Sequence, residues 1–72
     1  MAFAKSKDIE WIHIRAKFES VCEEDLFIRK DAIDWIKEDL AGGQFRHTAI
    51  KAGDNLFRAK IRSTHIIEAL YQ

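Results

Sequence analysis

The property that most limits the fold is a length of 72 residues combined with a single cysteine, Cys22. A chain this short forms one domain and buries only about 60% of the surface that it exposes when unfolded. Cys22 has no partner for an intramolecular disulfide, and small secreted domains usually carry several, so a cytoplasmic protein is expected. Small domains without a cross-link often gain stability by associating, and we therefore expect a homodimer.

Composition and motifs exclude several classes of protein. The hydrophobic content of 47% is that of a folded domain and not of a disordered tail. No window of about 18 apolar residues could span a membrane, and the N-terminus becomes charged too early for a secretory signal. The chain also lacks a phosphate-binding glycine loop, a nucleophile elbow and a spaced Cys/His motif. We therefore predict no enzyme, no cofactor, no metal site and no small-molecule substrate.

The N-terminal half begins with a predicted flexible arm over 1–8, and residues 9–72 form the single domain. Apolar and polar side chains then alternate, which predicts a half-buried strand. The apolar positions of this alternation are Ile12, Ile14, Ala16 and Phe18. A helix over 9–22 is the alternative interpretation, because an apolar stripe with helical spacing also occurs there. We then expect a turn at 23–25 and a short returning strand at 26–28.

A helix is predicted over 30–40. Three apolar residues recur there with helical spacing, namely Ile33, Ile36 and Leu40. Asp31 suits the first turn, where the helix dipole stabilises a carboxylate. The pair Gly42-Gly43 is expected to end this helix, because glycine is frequent just beyond a helical C-terminus.

The C-terminal part predicts a hairpin followed by a helix. Alternating segments at 45–52 and 56–62 flank Gly53-Asp54-Asn55, which is a turn-forming sequence. The final helix runs over 64–71, with Ser63 or Thr64 as its N-cap.

These elements predict an α+β domain in which a small antiparallel sheet of about four strands packs against two helices. Residues 26–33 resemble residues 59–66, and both segments contain an Ile-Arg pair. A ββα–ββα pseudo-repeat is therefore an extended form of the same prediction.

The predicted helix places three carboxylates on one face, at Asp31, Asp34 and Glu38. Trp35 projects beside this face, and a protruding tryptophan is a frequent hot spot of protein interfaces. We predict that these four residues bind a protein partner and that the chain is a small non-enzymatic interaction module. Short chains without catalytic motifs are typical of accessory proteins of phages and mobile elements.

The net charge of zero hides an uneven distribution along the chain. Residues 1–41 hold seven basic and ten acidic side chains, whereas residues 42–72 hold five basic and two acidic ones. The basic excess lies on the predicted hairpin, at Arg46, Arg58, Lys60 and Arg62. A basic two-stranded ribbon can follow the phosphates of nucleic acid, so a DNA-binding accessory factor is the alternative function.

This alternative has support from a family resemblance. A helix-like segment from Ile28 to Lys37 precedes the predicted hairpin, and a second one from Ile61 to Leu70 follows it. In this arrangement residues 28–72 resemble the small winged-helix proteins of the excisionase and MerR-like kind. The resemblance implies a winged-helix fold, in which residues 9–22 are helical and the basic hairpin over 45–62 is the wing that contacts DNA.

Overall fold

The computed structural model describes residues 10–71, and strands dominate its secondary structure. The strands are β1 (Trp11–Lys17), β2 (Glu23–Arg29), β3 (Ile33–Ala41), β4 (Gln44–Ala52) and β5 (Asn55–Ala59). A short 3-10 helix, Lys30–Ala32, joins β2 to β3, and helix α1 spans Ser63–Leu70. The flexible arm predicted over 1–8 lies outside the described residues. Within 10–71, no helix is both long and apolar enough to cross a membrane.

Strand β1 confirms the strand interpretation of the first apolar alternation. Ile12, Ile14 and Ala16 are buried, and every residue between them is exposed. Because successive side chains of a strand point to opposite faces, this alternation gives β1 one apolar and one charged face. The alternative helix over 9–22 is wrong.

The turn predicted at 23–25 is also wrong, because these residues pair with β1 and begin β2. The guanidinium of Arg15 explains why acidic side chains are favourable there. Its Nε lies 3.3 Å from Glu23 Oε1, and its Nη1 lies 2.9 Å from Asp25 Oδ2. Opposite charges across an antiparallel pair support the ladder. The returning strand expected at 26–28 is confirmed as the second half of β2.

The helix predicted over 30–40 is wrong, since most of this segment forms β3 and pairs with β4. A β-bulge accounts for the misleading pattern. Asp34 is an extra residue on β3 without a partner on β4, so the alternation shifts by one position. Ile33 and Ile36 therefore both pack against the core although they are three residues apart, as they would be on a helix. The long ladder with β4 decides the conformation over the local spacing.

Gly42-Gly43 closes the β3–β4 hairpin and does not end a helix. The φ angles of the two glycines are 61° and 82°. Two consecutive positive φ angles are those of a type I′ turn, whose twist matches that of the flanking strands. A Cβ at either position would meet nothing within 4 Å, so glycine is required for its conformation and not for space.

The second predicted hairpin is confirmed, with Gly53-Asp54 as the turn between β4 and β5. Strand β4 lies between β3 and β5 and carries the fully buried residues Thr48 and Ile50. The Thr48 hydroxyl donates a hydrogen bond to the carbonyl oxygen of Ile61 at 2.6 Å, which satisfies this buried polar group. The same bond holds the segment that follows β5, which ends at Ala59 and not at residue 62.

The predicted C-terminal helix is confirmed as α1, but its N-terminus is capped from β3. The Glu38 carboxylate accepts hydrogen bonds from the Ser63 backbone N–H at 3.0 Å and from the Ser63 hydroxyl at 2.9 Å. Arg62, at the N-cap position, provides no side-chain bond of its own. A carboxylate at a helix N-terminus satisfies free N–H groups and is stabilised by the helix dipole. Glu38 thus fixes α1 to the three-stranded sheet.

The strands form two antiparallel sheets, β1–β2 and β3–β4–β5. Buried apolar side chains from both sheets and from α1 make one core, which consists of Ile12, Ile14, Ala16, Ile28, Ile50, Ala52, Ala59 and Ile66. A backbone bond from Lys60 N–H to the Lys17 carbonyl, at 2.8 Å, also joins the ends of β5 and β1. The two sheets therefore share one interior.

This architecture corrects the predicted fold class. Within residues 10–71 there are five strands in two sheets and one α-helix, where about four strands and two helices were expected. The ββα–ββα pseudo-repeat is wrong because β3 stands where its first helix would be. The winged-helix alternative is wrong for the same reason, and because residues 11–17 form β1.

Candidate interaction surface

The outer face of the three-stranded sheet brings together eight side chains in cross-strand rows. The bulge at Asp34 sets the register, so that residues 35, 37 and 39 of β3 lie opposite residues 51, 49 and 47 of β4. The rows are Trp35–Lys51–Leu56, Lys37–Ala49–Arg58 and Asp39–His47. We call this surface the Trp35 face.

A shallow depression of about 250 Å³ lies in the Trp35 face. Ala49 is central to it, and its methyl group leaves room that a longer side chain would fill. Two large apolar side chains border the depression, with Trp35 46% exposed and Leu56 41% exposed. Lys37 and Arg58 lie on either side of Ala49 in the second row.

The charges of the Trp35 face are unevenly compensated. Asp39 Oδ2 lies 3.5 Å from His47 Nε2, and Lys51 donates a hydrogen bond to the Gly53 carbonyl. Trp35, Ala49 and Leu56 give the depression its apolar part, and the Asp39–His47 pair also lines it. Its two flanking cations, Lys37 and Arg58, have no ion-pair partner in the described part of the chain.

The three carboxylates predicted to share a face with Trp35 do not meet it. Asp31 pairs with Arg29, with 2.8 Å between Nη2 and Oδ2, in the turn before β3. Asp34 Oδ2 accepts the Gly53 backbone N–H at 3.0 Å and so fastens the bulge to the second hairpin. The acidic helix face is therefore absent, because the segment is a bulged strand.

Glu38 lies on the opposite side of β3 from Trp35, where it caps α1. Its contact with Arg62, with 3.2 Å between Oε2 and Nε, completes this arrangement. The pKa of Glu38 is lowered, first by the hydrogen bond from the Ser63 backbone and then by that from the Ser63 hydroxyl. Glu38 therefore holds two elements together and does not present a free charge to a partner.

The four basic residues predicted to bind nucleic acid are also divided between surfaces. Only Arg58 belongs to the Trp35 face. Arg46 and Lys60 line a separate hollow of about 420 Å³ beside the β3–β4 turn. Arg62 lies over the Phe45 ring, 4.7 Å from its centroid, and contacts Glu38. The alternation that predicted one basic ribbon ends with β5 at Ala59.

Sequence reasoning missed Lys37, Ala49 and Leu56 as members of the surface. A signal for Lys37 was present, because residues 35, 37 and 39 alternate with residues 36, 38 and 40 as in a strand. The glycine pair that follows is also a hairpin signal. The helical spacing of Ile33 and Ile36 obscured both.

The outer face of the β1–β2 sheet is built from similar residue types but is internally paired. His13 Nε2 lies 2.6 Å from Asp25 Oδ1, and the His13 ring stacks on Phe27 with 4.6 Å between centroids. The pKa of Asp25 is lowered, mainly by its hydrogen bonds with His13 and then Arg15. The pKa of the Arg15 guanidinium is raised, chiefly by its hydrogen bond to Asp25. We call this surface the paired face.

Comparison of the chain with family models, with curated proteins and with solved structures found no match.

Proposed function

We propose that the chain is a non-enzymatic protein-binding module whose contact surface is the Trp35 face. The observation that supports this most is the position of Trp35 beside a partly apolar depression flanked by Lys37 and Arg58, which form no ion pair within residues 10–71. Tryptophan and arginine are enriched among the residues that dominate interface energies. A cytoplasmic location is part of this proposal and rests on the single cysteine. The homodimer expected from the chain's size stays a prediction.

The chemistry of the Trp35 face supports one kind of protein partner. Trp35 and Leu56 offer apolar area, and Lys37 and Arg58 offer positive charge next to it. The complementary surface is a protein segment that carries Asp or Glu beside large apolar side chains. In the predicted helix Trp35 had acidic neighbours, whereas on the observed face Lys37 and Arg58 line the depression beside it.

Selection from a displayed library of random dodecapeptides tests the proposal. We expect the wild-type protein to enrich peptides that combine acidic and large apolar residues. Trp35→Ala should lower the affinity for the selected peptides by about thirtyfold, which is the effect of losing a hot spot of about 2 kcal/mol. Lys37→Ala with Arg58→Ala should weaken them by about tenfold and reduce the dependence of binding on salt.

Trp11→Ala is the matched control, because Trp11 is 59% exposed but lies outside the Trp35 face. We expect this variant to bind the selected peptides as the wild type does. Circular dichroism of each variant verifies that the fold is retained. Equal binding of the selected acidic peptides by the wild type and by a folded Trp35→Ala variant would contradict the proposal, as would basic peptides whose binding is lost in the Trp35→Ala variant.

Nucleic acid is the competing partner and is tested directly. Mobility shifts with single-stranded and double-stranded oligonucleotides at low salt are expected to show no binding. A shift that is lost in the variant Arg58→Ala with Lys60→Ala would overturn protein binding in favour of the nucleic-acid function.

A further inference from the structure

A second cleft, which shares no lining residue with the Trp35 face, lies at the connection between β1 and β2. Its volume is about 390 Å³, within the range of ligand-binding pockets. Phe18, Leu26 and Phe57 give it an apolar lining, and all three also pack against the core. The cleft is therefore a rigid extension of the interior that opens to solvent.

The rim of this cleft is acidic. Glu19, Glu24 and Asp25 line it, and within residues 10–71 no basic side chain does. Asp25 is compensated by His13 and Arg15. Glu19 and Glu24 are not, since neither forms an ion pair in the described part of the chain.

The strand register explains why Glu24 forms no ion pair with any of residues 10–71. Its cross-strand partner is Ala16, a buried residue, whereas Glu23 and Asp25 lie across from Lys17 and Arg15. Glu24 is on the side of β2 that carries Leu26 and Ile28, at the end where the core opens. It thus places a carboxylate at the edge of apolar surface.

The loop that carries Glu19 has a defined conformation. The Ser20 hydroxyl accepts the Cys22 backbone N–H at 3.2 Å and donates to the Cys22 carbonyl at 3.1 Å. Such local bonds stabilise a turn. Both uncompensated carboxylates of the rim are therefore held on ordered backbone.

We propose that this cleft binds a peptide segment in which Arg or Lys stands next to a large apolar side chain. Phe18, Leu26 and Phe57 receive the apolar side chain, and Glu19 and Glu24 receive the cation. Arginine and lysine fit such a site well, because their aliphatic stems lie on apolar surface while their charged ends reach carboxylates at the rim. The specificity is opposite in sign to that of the Trp35 face, so the two sites take different ligands.

The test uses three acetylated and amidated pentapeptides with the sequences Phe-Arg-Leu-Arg-Phe, Phe-Gln-Leu-Gln-Phe and Phe-Glu-Leu-Glu-Phe. Each is titrated into the labelled full chain, and binding is followed by amide chemical shifts. We expect the basic peptide to shift the amides of Phe18, Leu26 and Phe57 in a saturable manner. The neutral peptide should bind at least about fivefold more weakly, and the acidic peptide should not bind.

Glu19→Gln with Glu24→Gln should lower the affinity for the basic peptide by about fivefold. The weaker binding that remains comes from the apolar lining of the cleft. Glu68→Gln is the matched control, since Glu68 is an exposed carboxylate on α1 that does not line the cleft. This control should bind as the wild type does. The proposal fails if the basic peptide leaves the cleft amides unchanged, if the neutral peptide binds equally well, or if the double variant retains full affinity. None of these results depends on the Trp35 face, so the two binding sites are tested independently.

Discussion

The outer faces of the two sheets both combine aromatic and charged side chains, but their charges are compensated differently. On the paired face, Arg15 and His13 contact Asp25, and Phe27 stacks on the His13 ring. On the Trp35 face, Lys37 and Arg58 flank a small residue and meet no carboxylate among residues 10–71. Charge composition alone would not separate the two faces. The cross-strand register does, because it decides which side chains lie opposite each other.

The comparison assumes that the two sheets are parts of one cooperative unit, and the core variant Ile50→Ala tests this first. Ile50 is fully buried on β4, so its truncation should lower the free energy of unfolding by about 2–5 kcal/mol. Trp11 lies on β1 and Trp35 on β3, so single-tryptophan backgrounds made with Trp35→Phe or Trp11→Phe report each sheet separately. Urea denaturation followed by fluorescence should give coincident transitions in both backgrounds.

Transitions that separate in the Ile50→Ala variant would show that the two sheets unfold independently. They would mean that the β1–β2 sheet keeps its fold without the three-stranded sheet. The shared core and the bond from Lys60 to Lys17 argue for coincidence.

The second prediction concerns the β3–β4 hairpin, which sets the register of the Trp35 face. Gly43→Ala forces a left-handed conformation on a residue with a Cβ and should cost about 1–2 kcal/mol of unfolding free energy. Gly43→Asn should lower the free energy of unfolding by a smaller amount, because asparagine tolerates positive φ angles. Chemical denaturation measures both. An alanine variant as stable as the wild type would show that the turn is not held at φ 82°.

The third prediction concerns the dependence of stability on pH. Asp25 of the paired face and Glu38 beneath the Trp35 face have lowered pKa values, against ordinary values of 3.8 and 4.5. Each therefore stabilises the fold above its ordinary pKa, and this contribution is lost as the pH falls through the folded pKa. Thermal melts should show a stability that declines as the pH falls below about 4.5, with each group contributing less than the Ile50 or Gly43 change.

Two variants assign this pH effect to its sources. Asp25→Asn and Glu38→Gln should each flatten the acid part of the profile, and together they should remove more of it than either does alone. Asp54→Asn, in the second hairpin turn, is the matched variant that removes a carboxylate outside these two contacts. An undiminished slope in the combined variant would place the effect on other carboxylates.

The sequence predicted β1, the second hairpin and the final helix, but it missed the start of β2 and the whole of β3. The alternation of Ile12, Ile14 and Ala16 identified β1, because a strand with one buried face has a period of two. The turn signal at Gly53-Asp54 identified the second hairpin. The same logic failed in β3, where a bulge at Asp34 produced the spacing of a helix.

The candidate site was likewise predicted only in part. Trp35 was singled out correctly as an exposed aromatic residue, but its neighbours were not. Asp31, Asp34 and Glu38 were assigned to its surface by a helical geometry that does not exist. Each carboxylate is instead used locally, by Arg29, by Gly53 and by the start of α1.

By itself, the sequence determined that this chain has one small core, an alternating first strand, a C-terminal hairpin and a final helix. These features depend on local periodicity and turn chemistry, which neighbouring residues specify. The tertiary structure alone decided that residues 33–41 are a strand and that Glu38 caps α1. It also decided that Lys37 and Arg58 form no ion pair within the described residues 10–71. The reason is physical: strand pairing and charge compensation depend on residues distant in sequence, whose register a bulge of one residue can shift.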